Sequence, residues 1–110
     1  MTESGKREKP LFLPLRKEHF ESFRRGDKDT EYRLHGRRWN GITCRVGRTV
    51  VLSCGYSGER LNGVVSSFHA IPLGSIHGGL LRLSIKGCFP TADDSTSIAC
   101  IGIRKDTDNA

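Results

Sequence analysis

Short apolar segments, separated by glycines and other turn residues, are the feature that most constrains how this chain can fold. They read LFLPLR, TEYRL, RTVVLSCGY, RLNGVVSSFHAI, GLLRLSIKG and SIACIGIRK. They recur at roughly ten-residue spacing, which is typical of small sandwiches and barrels. We therefore expect five to six strands. Pro14 restricts the first to a sheet edge or a strand end, because proline cannot donate a ladder hydrogen bond.

One early segment, KEHFESFRRG, has a helical pattern instead. Phe20 and Phe23 are three residues apart and would share one helix face, and Gly26 is placed to end the helix. Helices do not alternate with strands, so the pattern argues against a parallel α/β fold. The prediction is a mainly β (α+β) protein: a small barrel of five to six strands with one early helix packed against it.

A chain of 110 residues is expected to form one domain. We place it at residues 11–104, preceded by a flexible basic arm over residues 1–10. Residues 105–110, KDTDNA, are polar and are predicted to be a disordered tail.

Positive charge is concentrated in one part of the sequence. The formal net charge is +6, and residues 24–48 hold eight Lys or Arg against three Asp or Glu, a net +5. Such a block favours a polyanionic partner, with RNA or another single-stranded nucleic acid as the first candidate. A basic face that is simply solvated, or one that meets an acidic protein partner, stays open as an alternative.

The cysteine pattern and the N-terminus bear on location and cofactors. The four cysteines form no C-x-x-C pair, and no histidine completes zinc-finger spacing, so no metal or other cofactor is expected. The N-terminal MTESGKREKP is not a signal peptide, and no apolar run approaches the ~20 residues of a membrane span. We expect free thiols, a cytoplasmic location and no membrane partner.

The stretch GDKDTEYR, residues 26–33, carries the strongest candidate site. In an alternating strand Glu31 and Arg33 share one face, opposite Tyr32, and Lys28 lies just before the strand. The three charged residues can converge on a cleft. The alternatives are a structural ion pair and a lysine in a solvated turn.

The loop HGRRWNGITCR adds a second set of candidates. Arg37, Arg38 and Arg45 surround Trp39, and arginines with an exposed indole are typical of nucleic-acid contacts. Trp39 could equally belong to the core, which would leave the arginines solvated. Of the four histidines, His35 is nearest the motif and is the one retained as a candidate.

These features resemble the ASCH domain, the activating-signal-cointegrator homology domain of the PUA-like superfamily, and in particular its small bacterial and phage members. The matching residues are Leu13 to Arg16, Gly26, Lys28, Glu31, Tyr32 and Arg33, then Arg38, Trp39, the run VVLSCGY and Val64–Val65. The resemblance covers roughly residues 11–73 and rests on a short motif in its helix–turn–strand context. It implies a barrel with a cleft beside the helix, where related domains bind RNA.

The resemblance also implies an enzymatic alternative. One ASCH subfamily removes the acetyl group of N4-acetylcytidine, another has ribonuclease activity, and the motif lysine is the proposed base. Here Lys28 and Glu31 would be catalytic. Glu31, however, stands where the deacetylases tend to carry threonine, and IPLGSIHGG lacks their later helical glutamate.

The main expectation is therefore RNA or nucleotide binding in the cleft between the first helix and the TEYR strand. Lys28 and Arg33 would meet phosphates or base carbonyls, and Glu31 would accept from a base amino group. Trp39 would stack on a base, while the loop arginines would follow the backbone. The alternative is a metal-independent hydrolase.

Overall fold

The computed structural model describes residues 8–106, which form five strands and two helices. In chain order these are β1 (Leu11–Leu15), α1 (Lys17–Arg25), β2 (Thr30–Leu34), β3 (Thr49–Cys54), β4 (Arg60–Pro72), α2 (Gly79–Cys88) and β5 (Ser97–Lys105), with a single 3-10 turn at Leu73–Ser75. The protein is a small α+β protein whose sheet curls into a half-barrel, which confirms the predicted fold class.

The sheet has the strand order β1-β3-β4-β5-β2. β1 runs parallel to β3, and every other neighbouring pair is antiparallel. β1 and β2 are therefore the two edges of the sheet, and β1 carries Pro14 at an edge as predicted. Curling brings these two edges toward each other, and we call the gap between them the seam.

α1 packs on the inner face of the curled sheet through Phe20 and Phe23, which are almost fully buried. It ends at Gly26, whose φ of +84° is the left-handed conformation that glycine adopts most readily. The Lys105 ammonium donates to the carbonyls of Phe23 and Arg24, so the end of β5 satisfies the last turn of the helix.

α2 corrects one sequence prediction, because GLLRLSIKG is a helix and not a strand. Leu81 and Ile85, four residues apart, pack into a second apolar cluster on the other face of β5. Leu80 and Leu83 remain 85% and 69% exposed. A short run with apolar residues on both sides cannot be assigned to helix or strand from its pattern alone.

The predicted terminal segments are described only in part. The tail was placed at residues 105–110, but Lys105 is the last residue of β5. In the predicted arm, residues 1–10, Glu8 pairs with Arg45 and so fastens this part to a loop. Residues 1–7 and 107–110 of these segments lie outside the described residues. None of the helices within residues 8–106 is long and apolar enough to cross a membrane.

Candidate functional site

A cleft of about 260 Å³ lies at the seam. Its wall is formed by the end of β1, the start of α1, strand β2 and one side of α2. The lining side chains are Pro14, Leu15, Arg16, His19, Lys28, Glu31, Tyr32, Arg33, Ser84, Ile85, Cys88 and Phe89. Lys28, Glu31 and Arg33, predicted from one short stretch of sequence, are thus together in one open pocket.

Glu31 holds this site together. Its side chain is only 10% exposed, and its two oxygens face different cations. Lys28 Nζ lies 3.1 Å from Oε1, and Arg33 Nε donates to Oε2 at 3.0 Å. A carboxylate this buried needs such partners, because desolvation of an unpaired charge is costly.

Arg33 connects the two edges of the sheet. Its Nη2 donates to the Pro14 carbonyl on β1 at 2.6 Å, while its Nε is engaged by Glu31. The guanidinium also lies over the Trp39 ring, with Cζ 4.9 Å from the ring centroid. Arg33 therefore has mainly a structural role: it bridges the seam and covers the core beneath.

Lys28 is surrounded by groups that stabilise a positive charge. Besides Glu31, its Nζ lies 3.2 Å from His19 Nδ1. It also lies 5.8 Å from the Phe23 ring centroid and 5.9 Å from that of Tyr32, distances at which aromatic faces attract cations. Lys28 is therefore a positioned hydrogen-bond donor.

The cleft is positively charged overall. Its lining contains three cations, Arg16, Lys28 and Arg33, against the single carboxylate of Glu31. Arg16 is exposed, and within residues 8–106 its side chain makes no hydrogen bond or ion pair. Its full set of donors is available to a ligand.

Sequence reasoning missed two parts of the cleft. His19 lies in the first turn of α1, and Arg16 is the residue that caps this helix with an extended backbone. Both closely follow the apolar run LFLPL, and this position was the signal that could have identified them. The wall formed by Ser84, Cys88 and Phe89 could not be found once the α2 segment had been interpreted as a strand.

Burial raises the pKa of two groups near the cleft, Tyr32 and Cys100. Desolvation raises the pKa of the Tyr32 phenol, and the nearby Cys100, Asp29 and Glu31 add to the effect. Burial also raises the pKa of the Cys100 thiol. All four cysteines are free thiols, and Cys88 is exposed at the cleft.

The residues predicted from the loop do not line the cleft. Trp39 is 9% exposed and belongs to the core, with Arg33 and Arg38 over its ring, so the predicted exposed stacking surface is corrected. Arg37 and Arg38 are exposed outside the cleft, and Arg45 pairs with Glu8. His35 is also outside the cleft, 6.3 Å from the Phe68 ring.

Much of the basic block is neutralised locally. Arg24 pairs with Glu21 and Glu59, and Arg25 pairs with Asp27. Because Glu21 and Glu59 lie outside residues 24–48, the positive charge left for a partner is less than the net +5 of that block, and part of it is in the cleft. Within residues 8–106 no group of three or more His, Cys, Asp or Glu could hold a metal ion.

Comparisons with known proteins describe the fold but not the activity. No protein-family model matches the sequence, and no curated protein matches it. The structure is similar to the crystal structure of hypothetical protein PH0355, with a TM-score of 0.65 and 14% sequence identity. The match covers 89% of this chain and 100% of that chain. At this identity the likeness shows a shared fold alone.

Proposed function

We propose that this protein binds RNA or a nucleotide in the cleft between α1 and β2. The observation that carries the proposal is the charge of this cleft: three cations face one carboxylate, and that carboxylate is already paired with two of them. Such a pocket attracts a ligand with phosphate or carbonyl oxygens.

The donors that remain free support this choice. An ammonium group has three N–H donors, and at Lys28 Glu31 and His19 occupy two, which leaves one for a ligand oxygen. Arg16 offers its planar fork, which matches phosphate geometry. Tyr32 and Phe89 add aromatic walls against which a base can pack.

The volume of the cleft favours a small ligand. A cleft of about 260 Å³ is just below the ~300 Å³ at which typical ligand pockets begin. It suits one nucleotide rather than a folded RNA.

The proposal extends to the family and the location of the protein. Because the motif residues Lys28, Glu31 and Arg33 face this cleft, we propose an ASCH-type, PUA-like domain. The free cysteines support a cytoplasmic location.

Fluorescence anisotropy with a labelled single-stranded RNA of a few nucleotides tests the proposal. Lys28→Gln and Arg16→Gln should each weaken binding by about tenfold, since each removes a charge-assisted contact. Each should also reduce the slope of log affinity against log salt by about 0.7, the value for one phosphate contact on a single strand. Lys17→Gln is the matched control, because Lys17 is an exposed neighbour that does not line the cleft.

Cys88 provides an independent measure of cleft occupancy. Its thiol is exposed and lines the cleft, so bound RNA should slow its alkylation as followed by mass spectrometry of the peptides. Absence of binding at low salt would refute the proposal. Equal affinities for Arg16→Gln and Lys17→Gln would also remove the cleft as the binding site.

The exposed loop arginines allow a test of partner class. Arg37→Ala with Arg38→Ala should reduce the salt slope without changing Cys88 protection at saturating RNA, because both residues lie outside the cleft. Capture of an acidic protein that survives nuclease treatment and depends on these arginines would instead favour an adaptor role.

A hydrolase acting on N4-acetylcytidine or on RNA is the second candidate. It is favoured by the 3.2 Å contact between Lys28 Nζ and His19 Nδ1, because this contact pairs the motif lysine with an imidazole, and the two can exchange a proton in the cleft. Lys28→Ala should then abolish metal-independent turnover while circular dichroism stays unchanged. Full activity in that variant would remove Lys28 from the reaction.

A further inference from the structure

A second groove borders the cleft. It has a volume of about 490 Å³, and Lys28 lines both spaces. Its polar lining is Lys28, Thr30, Ser66, Ser67, Arg104 and Lys105, together with the carboxylate of Asp29. Lys28 is thus a wall shared by the two spaces, which makes this groove the neighbouring surface for a ligand that contacts Lys28 from the cleft.

An irregularity in the sheet builds the groove. The pairing of β4 with β5 shifts register between Val65 and Ser67, so Ser66 is an extra residue in the ladder. In a regular strand successive side chains point to opposite faces. Here the Ser66 and Ser67 hydroxyls both approach Gly102: a Cβ built there would lie 2.1 Å from Ser67 Oγ and 3.2 Å from Ser66 Oγ. The bulge thus turns two hydroxyls toward the same space.

The charges around these hydroxyls are also positive. Lys28, Arg104 and Lys105 face one carboxylate, that of Asp29, which accepts a hydrogen bond from Thr30. The ammonium of Lys105 is engaged by α1 carbonyls. Arg104 is exposed, and within the described chain its side chain makes no hydrogen bond or ion pair. Among residues 8–106 the Ser66 and Ser67 hydroxyls also have no hydrogen-bond partner, so these two serines and Arg104 are the donors available in the groove.

We propose that this groove holds a phosphodiester of a single-stranded oligonucleotide whose neighbouring nucleotide occupies the cleft. The inference rests on the proposed function and specifies its ligand as an oligonucleotide rather than a free nucleoside. Hydroxyl and guanidinium donors are the groups that proteins use to position a phosphate. Base edges are not read here, so the groove adds affinity without sequence preference.

A trinucleotide RNA is the probe, used with the full chain at fixed low salt. Arg104→Gln should weaken binding about tenfold, the effect of losing one charge-assisted contact. Ser66→Ala with Ser67→Ala should weaken it about fivefold, as for a neutral hydrogen bond. Arg60→Gln is the control, since it removes the same charge from β4 outside both spaces. Cys88 protection at saturating RNA should persist in every variant.

The outcomes separate this inference from the proposed function. If Arg104→Gln binds no more weakly than Arg60→Gln, the groove is not used, although cleft binding stands. If inorganic phosphate shifts the amide resonances of Ser66 and Ser67 but the trinucleotide does not, the groove takes free anions and the inference is wrong. If the wild type does not bind the trinucleotide, the proposed function fails and this inference with it.

Discussion

Among single residues, Glu31 has the largest influence on the cleft. Its two oxygens pair with Lys28 and Arg33. Because only 10% of its side chain is exposed, water cannot readily replace an ion-pair partner that is lost. The same carboxylate supports the arginine that bridges the seam and cancels part of the positive charge that would attract a ligand to the cleft. Stability and binding should therefore respond to it in opposite directions.

Glu31→Gln is the test of this role. Removal of the negative charge leaves two partly buried cations without their counter-ion, which should lower the free energy of unfolding by about 2 kcal/mol. The cleft becomes more positive, so RNA should bind more tightly at low salt. Urea unfolding and anisotropy measure the two effects. Glu59→Gln, at a solvent-screened pair, should change stability much less. Equal losses of stability in the two variants would contradict the role of Glu31.

Tyr32 predicts a dependence on alkaline pH. Burial raises the pKa of its phenol above the ordinary 10.0, so the folded protein retains this proton longer than the unfolded chain. The stabilisation is complete below pH 10 and is lost as pH rises through the folded-state pKa. The free energy of unfolding should thus fall less steeply above pH 10 in Tyr32→Phe than in the wild type. Identical slopes would contradict the prediction.

Among the elements, α2 is held by few contacts although it forms one wall of the cleft. Of its ten residues only Ile85 is buried, and the helix follows Gly78, which has a φ of +96°. Helices of this length depend on packing of an apolar face for most of their stability. The position of this wall should therefore be sensitive to the intrinsic preference of single residues for helix.

Glycines in and beside α2 allow a paired test. Gly87 lies within the helix, and a Cβ there meets nothing within 4 Å, so Gly87→Ala should raise the free energy of unfolding by about 0.5–1 kcal/mol. Gly78 also has open space, but its positive φ penalises any side chain. Gly78→Ala should destabilise by about 1 kcal/mol. If urea unfolding shows that both variants are stabilised, or that both are destabilised, then the helical conformation at Gly87 or the positive φ at Gly78 is contradicted.

The whole molecule is a half-barrel whose two edge strands are not paired with each other. The bond from Arg33 on β2 to the Pro14 carbonyl on β1 spans this seam. Pro14 also lacks an N–H, which reduces what the β1 edge can offer to another strand. The gap left between the edges is the cleft, so the site is a consequence of incomplete closure.

Arg33→Lys tests the closure of the seam. Lysine retains the charge but cannot serve Glu31 and the Pro14 carbonyl with one planar fork, so the free energy of unfolding should fall by about 1–2 kcal/mol. Amide exchange should accelerate at β1 and β2 more than at β4. Arg60→Lys is the control, because Arg60 lies over the Phe12 ring of β1 and donates to carbonyls of its own turn, and so does not bridge β1 to β2. Uniform acceleration across the sheet would contradict a local role.

The sequence by itself determined the elements whose patterns are local. Phe20, Phe23 and Gly26 define α1, the alternation of TEYRL separates Glu31 and Arg33 from Tyr32, and Pro14 predicts an edge strand. Each prediction depends on spacing within one turn or one strand, where neighbours along the chain are also neighbours in space.

Only the tertiary structure decided what those side chains meet. Trp39 is buried because Arg33 and Arg38 cover it, and the α2 run is a helix because Leu81 and Ile85 pack on β5. The cleft joins β1, α1 and β2, which follow one another along the chain, to α2, which comes only after β3 and β4. Contacts of this kind depend on how the sheet curls, and no local spacing encodes that curl.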